Sequence, residues 1–406
     1  MVLCVDANQP TSYPETGTTW YDLSGQSNSG NLINGPTWDS NGWFQFDGVD
    51  DYSQIQANSS LNSNTRTFQI LFQPISSTNG YTQLATFALG TSGTNRILLT
   101  IQNGKIQWHG WGTDDPTGTT TIVNGRWYLA TYTYNYSTKA MQVYTNGDLE
   151  ASITDSQGGV AGSSTNNWYL ASIPGGYGGA TYGNVNIESF KQYNKVLSTA
   201  EVKQNYYQAP IVTDGLVFAV DANNLVSYPK SGTTAYDLTG NNNGTLTNGP
   251  TFNQSNGGSI VFDGTNDYIS FPNNTNLDSQ TITMESWSNV GTFFQDGFLF
   301  EKGQVNTQYS NFYNNNGYLY FRTVGLNTWD LAIYCPNHMI PNTWNHIVCT
   351  YEAGIKTTYV NGAQVGQQTG LTGTIPTNTT GLFLGAYGPG TGYFLNGKIA
   401  NSRVYN

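Results

Sequence analysis

Phe46-Asp-Gly-Val-Asp-Asp-Tyr52 is answered later in the chain by Phe262-Asp-Gly-Thr-Asn-Asp-Tyr268. The same anchors surround both in the same order. Val5-Asp-Ala-Asn8 returns as Val220-Asp-Ala-Asn223, and Gly17-Thr-Thr-Trp-Tyr-Asp-Leu-Ser-Gly25 as Gly232-Thr-Thr-Ala-Tyr-Asp-Leu-Thr-Gly240. Trp127 pairs with Trp344, Asn146-Gly147 with Asn361-Gly362, and Tyr193-Asn194 with Tyr405-Asn406. The period is about 215 residues, far beyond the roughly 20–50 of solenoid repeats, so the repeated unit is a whole domain. The first copy is read as 1–207 and the second as 215–406, with a linker at 208–214 where Pro210 stops any preceding element. Within the opening motif, two acids around a glycine between aromatics read as strand, tight turn and strand. The carboxylates are expected to cap the turn rather than to perform acid–base chemistry. Phe46, Tyr52 and their partners Phe262 and Tyr268 are expected to face the core.

Between the anchors the chain reads almost entirely as strand. Ile97-Leu-Leu-Thr-Ile-Gln102, Asn103-Gly104 and Lys105-Ile-Gln-Trp108 spell a hairpin on a type I′ turn, and Asn316-Gly317 before Tyr318-Leu-Tyr-Phe321 predicts the same turn in copy two. Trp127–Tyr132 and Met141–Tyr144 alternate with period two and turn at Asn146-Gly147. Trp127, Trp168, Trp287 and Trp344 fall in strand contexts and are expected in the core. One helix is predicted in Lys195-Val-Leu-Ser-Thr-Ala-Glu-Val-Lys203. There Ser198 and Glu201 form a capping box, and Leu197 and Val202 a hydrophobic staple. Copy two stops at Asn406, before its counterpart would begin, and the expectation is that the natural chain continues.

The 406 residues carry 14 Lys plus Arg against 25 Asp plus Glu, a formal charge of −11, and only 10% of residues are charged. Nucleic acid is excluded as an expected partner, since it calls for clustered basic residues. Aromatics at 14% argue against disorder. No apolar run approaches the roughly 18 residues of a membrane span, and no signal peptide is visible in Met1-Val-Leu-Cys-Val-Asp6. Cys4, Cys335 and Cys349 have no metal spacing; Cys335 and Cys349 could pair, but three free buried thiols are the expectation.

The joint order resembles the laminin-G-like, concanavalin A-like superfamily. It runs from an Asp-Leu-Ser/Thr-Gly turn through Phe-Asp-Gly-x-x-Asp-Tyr, a Trp opening a strand and a Tyr-x-Asn-Gly hairpin to a Gly-rich loop and a last strand ending in Tyr-Asn. The resemblance covers both copies. It implies an all-β chain of two tandem jelly-roll β-sandwiches, with one short helix after the last strand of the first and ligands at a concave face or the loop rim. The segment Tyr193 to Tyr206 is similar to domains in phage structural proteins.

Two sets of residues are candidates for binding. Asp22 and Asn28, with Asp237 and Asn243, lie in Gly-bent loops rich in oxygen ligands, which suits Ca²⁺; the alternative is a turn satisfied by its own side chains. The resemblance adds an acid after the last isoleucine, met by Glu188 in copy one, while copy two has Ala400-Asn401 there. The second set is aromatic. Trp111 with Asp114 leaves a hairpin for a polar loop, Trp329 lies in the corresponding region of copy two, and Tyr177 and Tyr387 crown Gly-rich loops. Exposed aromatics with nearby Asn and Asp suit saccharides.

Catalysis finds little support. No Gly-x-Ser-x-Gly elbow occurs. The resemblance implies Glu-x-Asp-x-Glu on one strand for a glycanase, and none of Glu15, Glu150, Glu188, Glu201, Glu285, Glu301 and Glu352 has that spacing. The leading expectation is a non-enzymatic bacteriophage virion surface protein (fibre, decoration or tail component), assembled in the host cytoplasm. Its partners would be host cell-surface glycans, other virion proteins and further copies of itself. Two alternatives stand beside it: a purely structural capsid or filament subunit, and the carbohydrate-binding part of a secreted, extracellular bacterial glycan-processing protein.

Overall fold

Period-two alternation builds two large antiparallel sheets in each half of the chain, and the first half adds a two-stranded sheet of Ser172–Ile173 and Thr181–Tyr182. In the computed structural model, residues 1–76, 81–88, 97–110, 114–157, 167–173, 181–208, 211–303, 308–388 and 390–406 are described. The chain divides into two compact units, Met1–Pro210 and Ile211–Asn406. One sheet of each unit holds its first and last strands, Leu3–Asp6 on Asn184–Tyr193 in unit one and Leu216–Asp221 on Asn396–Tyr405 in unit two. We call this the terminal sheet. The second sheet of unit one runs Lys105–Gly110, Ile97–Gln102, Tyr81–Ala88, Asn167–Leu170, Tyr52–Ile55, Gly30–Ile33 and Thr19–Trp20. That of unit two runs Thr234–Ala235, Gly244–Thr247, Tyr268–Phe271, Leu382–Leu384, Gly297–Lys302, Tyr309–Tyr313, Tyr318–Thr323 and Asp330–Tyr334. These are tandem jelly-roll sandwiches.

Each unit closes its own core between its sheets. Trp20, Trp108 and Trp168 with Phe44, Phe46 and Phe68 fill the first; Phe262, Leu299, Phe300, Leu319 and Phe321 fill the second. Burial of apolar area at roughly 25 cal/mol per Å² is the main stabilising term in both. Cys4, Cys335 and Cys349 are buried and free.

The helix α1, Thr199–Tyr207, begins as its sequence dictates. Ser198 accepts a hydrogen bond from the Glu201 amide, and Glu201 returns one to the Ser198 amide at 2.8 Å. Leu197 and Val202 bury against Tyr144 on the outside of the terminal sheet. The turn at Asn103-Gly104 has positive φ at both residues, 51° and 71°, as a type I′ turn requires. The Asn316-Gly317 expectation is corrected. The loop there spans four residues, Asn314 to Gly317, and of Asn316 and Gly317 only the glycine has positive φ.

Two core expectations are also corrected. Phe46 and Phe262 are buried, but Tyr52 and Tyr268 are half-exposed, because they share strand parity with Gln54 and Ser270 rather than with Ile55 and Ile269. Trp168 is in the core as expected, whereas Trp127 is buried outside the core cluster, against Trp43. Trp287 is 39% exposed and Trp344 half-buried, both on the outer side of the terminal sheet.

Candidate functional site

Strand register fixes which side chains of unit two's second sheet meet solvent. In Tyr318–Thr323, Leu319 and Phe321 enter the core, so Tyr318, Tyr320 and Arg322 point outward. In Tyr309–Tyr313 the two end tyrosines are core and Ser310 and Phe312 are outward. Phe298 opposes Phe312, which opposes Tyr320. The three rings stack as a ladder across three strands, with centroids 4.6 Å and 5.0 Å apart and planes within 14° and 9°.

The ladder has polar and aromatic flanks. Arg322 holds its guanidinium 5.0 Å from the centre of the Phe312 ring and forks onto Asp330, donating from Nε at 2.7 Å and Nη2 at 2.8 Å. That bidentate pair fixes the position of the cation beside the aromatic ring. Tyr318 and Tyr334 pack at 5.2 Å beside Tyr320, and Tyr387 and Tyr393 close the Phe298 end at 5.4 and 6.2 Å. Glu301 lies in the neighbouring row, opposite Ser310, yet is only 1% exposed. Burial pushes its carboxyl up to about 9, against the opposing pulls of Ser310 and Arg322. It is therefore a neutral acid at pH 7.

Unit one carries different chemistry at matched positions. There Gln83 opposes Thr100, which opposes Gln107, just before the same bulge at Leu84 that unit two has at Leu299. An amide–hydroxyl–amide row thus stands where unit two has Phe–Phe–Tyr. Gln83 Oε1, Thr86 Oγ1, Thr100 Oγ1 and Gln107 Oε1 have no hydrogen-bond partner among the described residues. His109 holds Asp115 at 2.6 Å at one edge of the row, and Tyr52, Tyr169 and Tyr182 cluster towards the other.

A family model described as the concanavalin A-like lectin/glucanases superfamily matches residues 47–203 and 263–406. The chain belongs to this superfamily. No curated protein matches the chain. Among solved structures it is similar to Trypanosoma rangeli sialidase in complex with sialic acid, at 15% identity and TM-score 0.42, covering 52% of this chain and 33% of that one. It is also similar to domains LG4-5 of the mouse laminin alpha1 chain, at 11% identity and TM-score 0.31, covering 91% and 90%. A third is domain 4 of AbnA, an extracellular arabinanase from Geobacillus stearothermophilus in complex with arabinotriose, at 14% identity and TM-score 0.39, covering 50% and 96%. The chain spans about a third of the length of the sialidase.

The residues singled out in this lectin/glucanase-type sequence fare unequally. Tyr387 joins the ladder. Trp329 is 43% exposed but stands before Asp330, at the opposite end of that strand from Tyr334, and no ring contact ties it to Tyr387. Asp114 is tied into its loop, accepting from the Ser156 amide at 2.7 Å, which with the Ser156 hydroxyl lowers its pKa. Trp111 and Tyr177 lie outside the described residues. Phe298, Phe312, Tyr320 and Arg322 were missed. The available signal was the alternation of Tyr318, Tyr320 and Arg322 against Leu319 and Phe321.

In the two candidate cation loops the carboxylates are engaged by the turns themselves, while Asn28 Oδ1 is buried with no hydrogen-bond partner among the described residues. Asp22 accepts from the amides of Cys4, Ser24 and Asn28 and from the Ser24 hydroxyl, at 2.7–2.9 Å. Asp237 likewise accepts from the Ala219 and Thr239 amides and the Thr239 hydroxyl. A carboxylate has about four lone-pair sites; the turn takes four at Asp22 and three at Asp237. Asn28 donates to the Val2 carbonyl and Ser60. The pairing of Asn28 with Asn243 is also corrected. Asn243 accepts from the Asp237 amide, as Ser29 does from Asp22, so Asn242 is the true counterpart of Asn28. Glu188 occupies the bulge of its strand, buried, with Ser189 donating to it at 3.2 Å. Asp47, Asp50 and Asp51 cluster within 4.8 Å, but the Val49 and Asp50 amides cap Asp47 and the Asp47 amide caps Asp51. Copy two repeats this capping with Asn266 in place of Asp50, so the turn accounts for it.

Proposed function

We propose that the protein is a non-catalytic glycan-binding protein whose second unit carries the principal binding face. The half-exposed rings of Phe312 and Tyr320, backed by the buried ring of Phe298 and set beside the Arg322–Asp330 fork, carry this reading. Saccharides offer flat apolar C–H faces to aromatic rings and hydroxyls to charged or amide groups, and the face supplies both in fixed positions. Glu301 and Glu285, two of the strand acids of unit two, support binding rather than hydrolysis. Glu301 is only 1% exposed, and Glu285 is bonded to Arg403 at 2.8 Å and His346 at 3.1 Å, whereas glycoside hydrolysis needs two carboxyl groups open to flank one bond.

The setting we infer is the surface of a bacteriophage virion, on the motif from Tyr193 to Tyr206 and the charge-poor, aromatic composition. Repetition on a particle would turn weak single-site affinity into avidity. The second reading is an assembly surface in a capsid or filament, favoured by the same half-exposed rings of Phe312 and Tyr320. A glycan array probed with the multimerised chain separates the two. Binding by the wild type that Phe312→Ala and Tyr320→Ala each reduce roughly tenfold or more is expected, the loss that truncating an aromatic anchor brings. Absence of binding by folded wild type would overturn the glycan reading in favour of assembly. Mass spectrometry of purified virions tests the setting.

A further inference from the structure

The outer side of unit two's terminal sheet holds a cleft of 360 Å³ lined by Asp221, Asn223, Gly258, Trp287, Trp344 and Asn401. Its volume falls within the roughly 300–1,000 Å³ of small-molecule sites. Trp287 forms one wall. It stacks on His346 at 5.0 Å with planes 24° apart, and His346 is held in turn by Glu285, which also accepts from Arg403, so the indole is braced from behind. Asn401 lies opposite Trp287 in register, and its Oδ1 is buried with no hydrogen-bond partner among the described residues. A buried acceptor in a cleft calls for a donor.

The first unit shows that this cleft is not a default of the fold. Phe44 opposes Ile187 and Ile260 opposes Ile399, so Trp43 and Ser259 occupy the same position. In unit one Trp43 packs edge-on against Trp127 at 5.2 Å and both are buried. Glu188 fills the bulge, where its carbonyl accepts from Ala7 as that of Ala400 does from Ala222. Leu71 holds the position of Trp287. Replacing Trp43 by Ser259 and Glu188 by Ala400 removes two large side chains. Replacing Leu71 by Trp287 adds an aromatic wall, and Trp344 is left half-exposed.

We propose that this cleft is a second saccharide site, taking one neutral sugar ring against Trp287 with a hydroxyl donating to Asn401 Oδ1. The nearby Asp221 carboxylate disfavours anionic sugars. The site is on the opposite sheet from the ladder and stands independently of it.

The test is an NMR titration of the full ¹⁵N-labelled chain with methyl glycosides of glucose, galactose, mannose, xylose and arabinose, following the indole N–H signals of Trp287 and Trp344. A saturable shift with at least one glycoside is expected, with affinity falling roughly tenfold or more in Trp287→Ala and in Ser259→Trp and unchanged in Tyr320→Ala. Ser259→Trp restores the residue that unit one carries, so it closes the cleft while leaving Trp287 in place; if either variant fails to fold, the other decides. No saturable shift with any glycoside, or a shift that survives the folded variants, overturns the proposal. Loss in Tyr320→Ala instead would assign the signal to the ladder and likewise overturn it.

Discussion

Glu301 stands at the position that Thr86 holds in the first unit, on the ladder side of the sheet, and each has a buried oxygen without a partner among the described residues. Its pKa, raised from an ordinary 4.5 to about 9 by burial, makes stability depend on pH. Between those values the folded protein holds a proton that the unfolded chain has released, so stability falls as pH rises through that window. Glutamine keeps a neutral group of the same shape. Glu301→Gln should therefore flatten the pH dependence of unit two and stabilise it on the order of 1–3 kcal/mol at pH 8, with little change at pH 5. Urea denaturation at the two pH values checks this; an equal effect at both would show that ionisation is not involved.

At the scale of an element, α1 is held at both ends by different means. The capping box fixes its start. Thr67 accepts from the Leu197 amide at 2.9 Å and donates to the Lys195 carbonyl at 2.8 Å, tying the approach to the terminal sheet. Asn205 donates to Gln69 at 2.7 Å near its end. A nine-residue helix is not stable alone, so packing of Leu197 and Val202 on Tyr144 sustains it. Ser198→Ala should cost about 1 kcal/mol. Amide hydrogen exchange should show faster exchange in α1, with the strand Asn184–Tyr193 still protected. The helix was legible because its signals are local, four residues for the cap and two for the staple. The turn at Asn316-Gly317 was misread because strand ends, not the dipeptide, set its length: Asn314 already accepts from the Gly317 amide at 3.1 Å.

At the scale of the molecule, two cores follow from two copies of one pattern. Trp168 is fully buried in the first, 4.8 Å from Phe68 and 5.0 Å from Phe190, with its indole donating to Gln192 at 3.0 Å. Trp168→Ala should cost about 3–5 kcal/mol, confined to that unit. Hydrogen exchange should show lost protection across its strands while Leu319 and Phe321 of unit two keep theirs. The repeat, the strand-rich architecture and the helix follow from the sequence, because periodicity, turn residues and caps act over a few neighbouring positions. Which face each aromatic presents was decided only by tertiary structure. Phe298, Phe312 and Tyr320 come from three strands and meet through register, and Trp287 is exposed because Ser259 and Ala400, remote in sequence, leave its surroundings open. Side-chain chemistry names what a residue can bind, but bulges and sheet pairing determine which residues stand together to bind it.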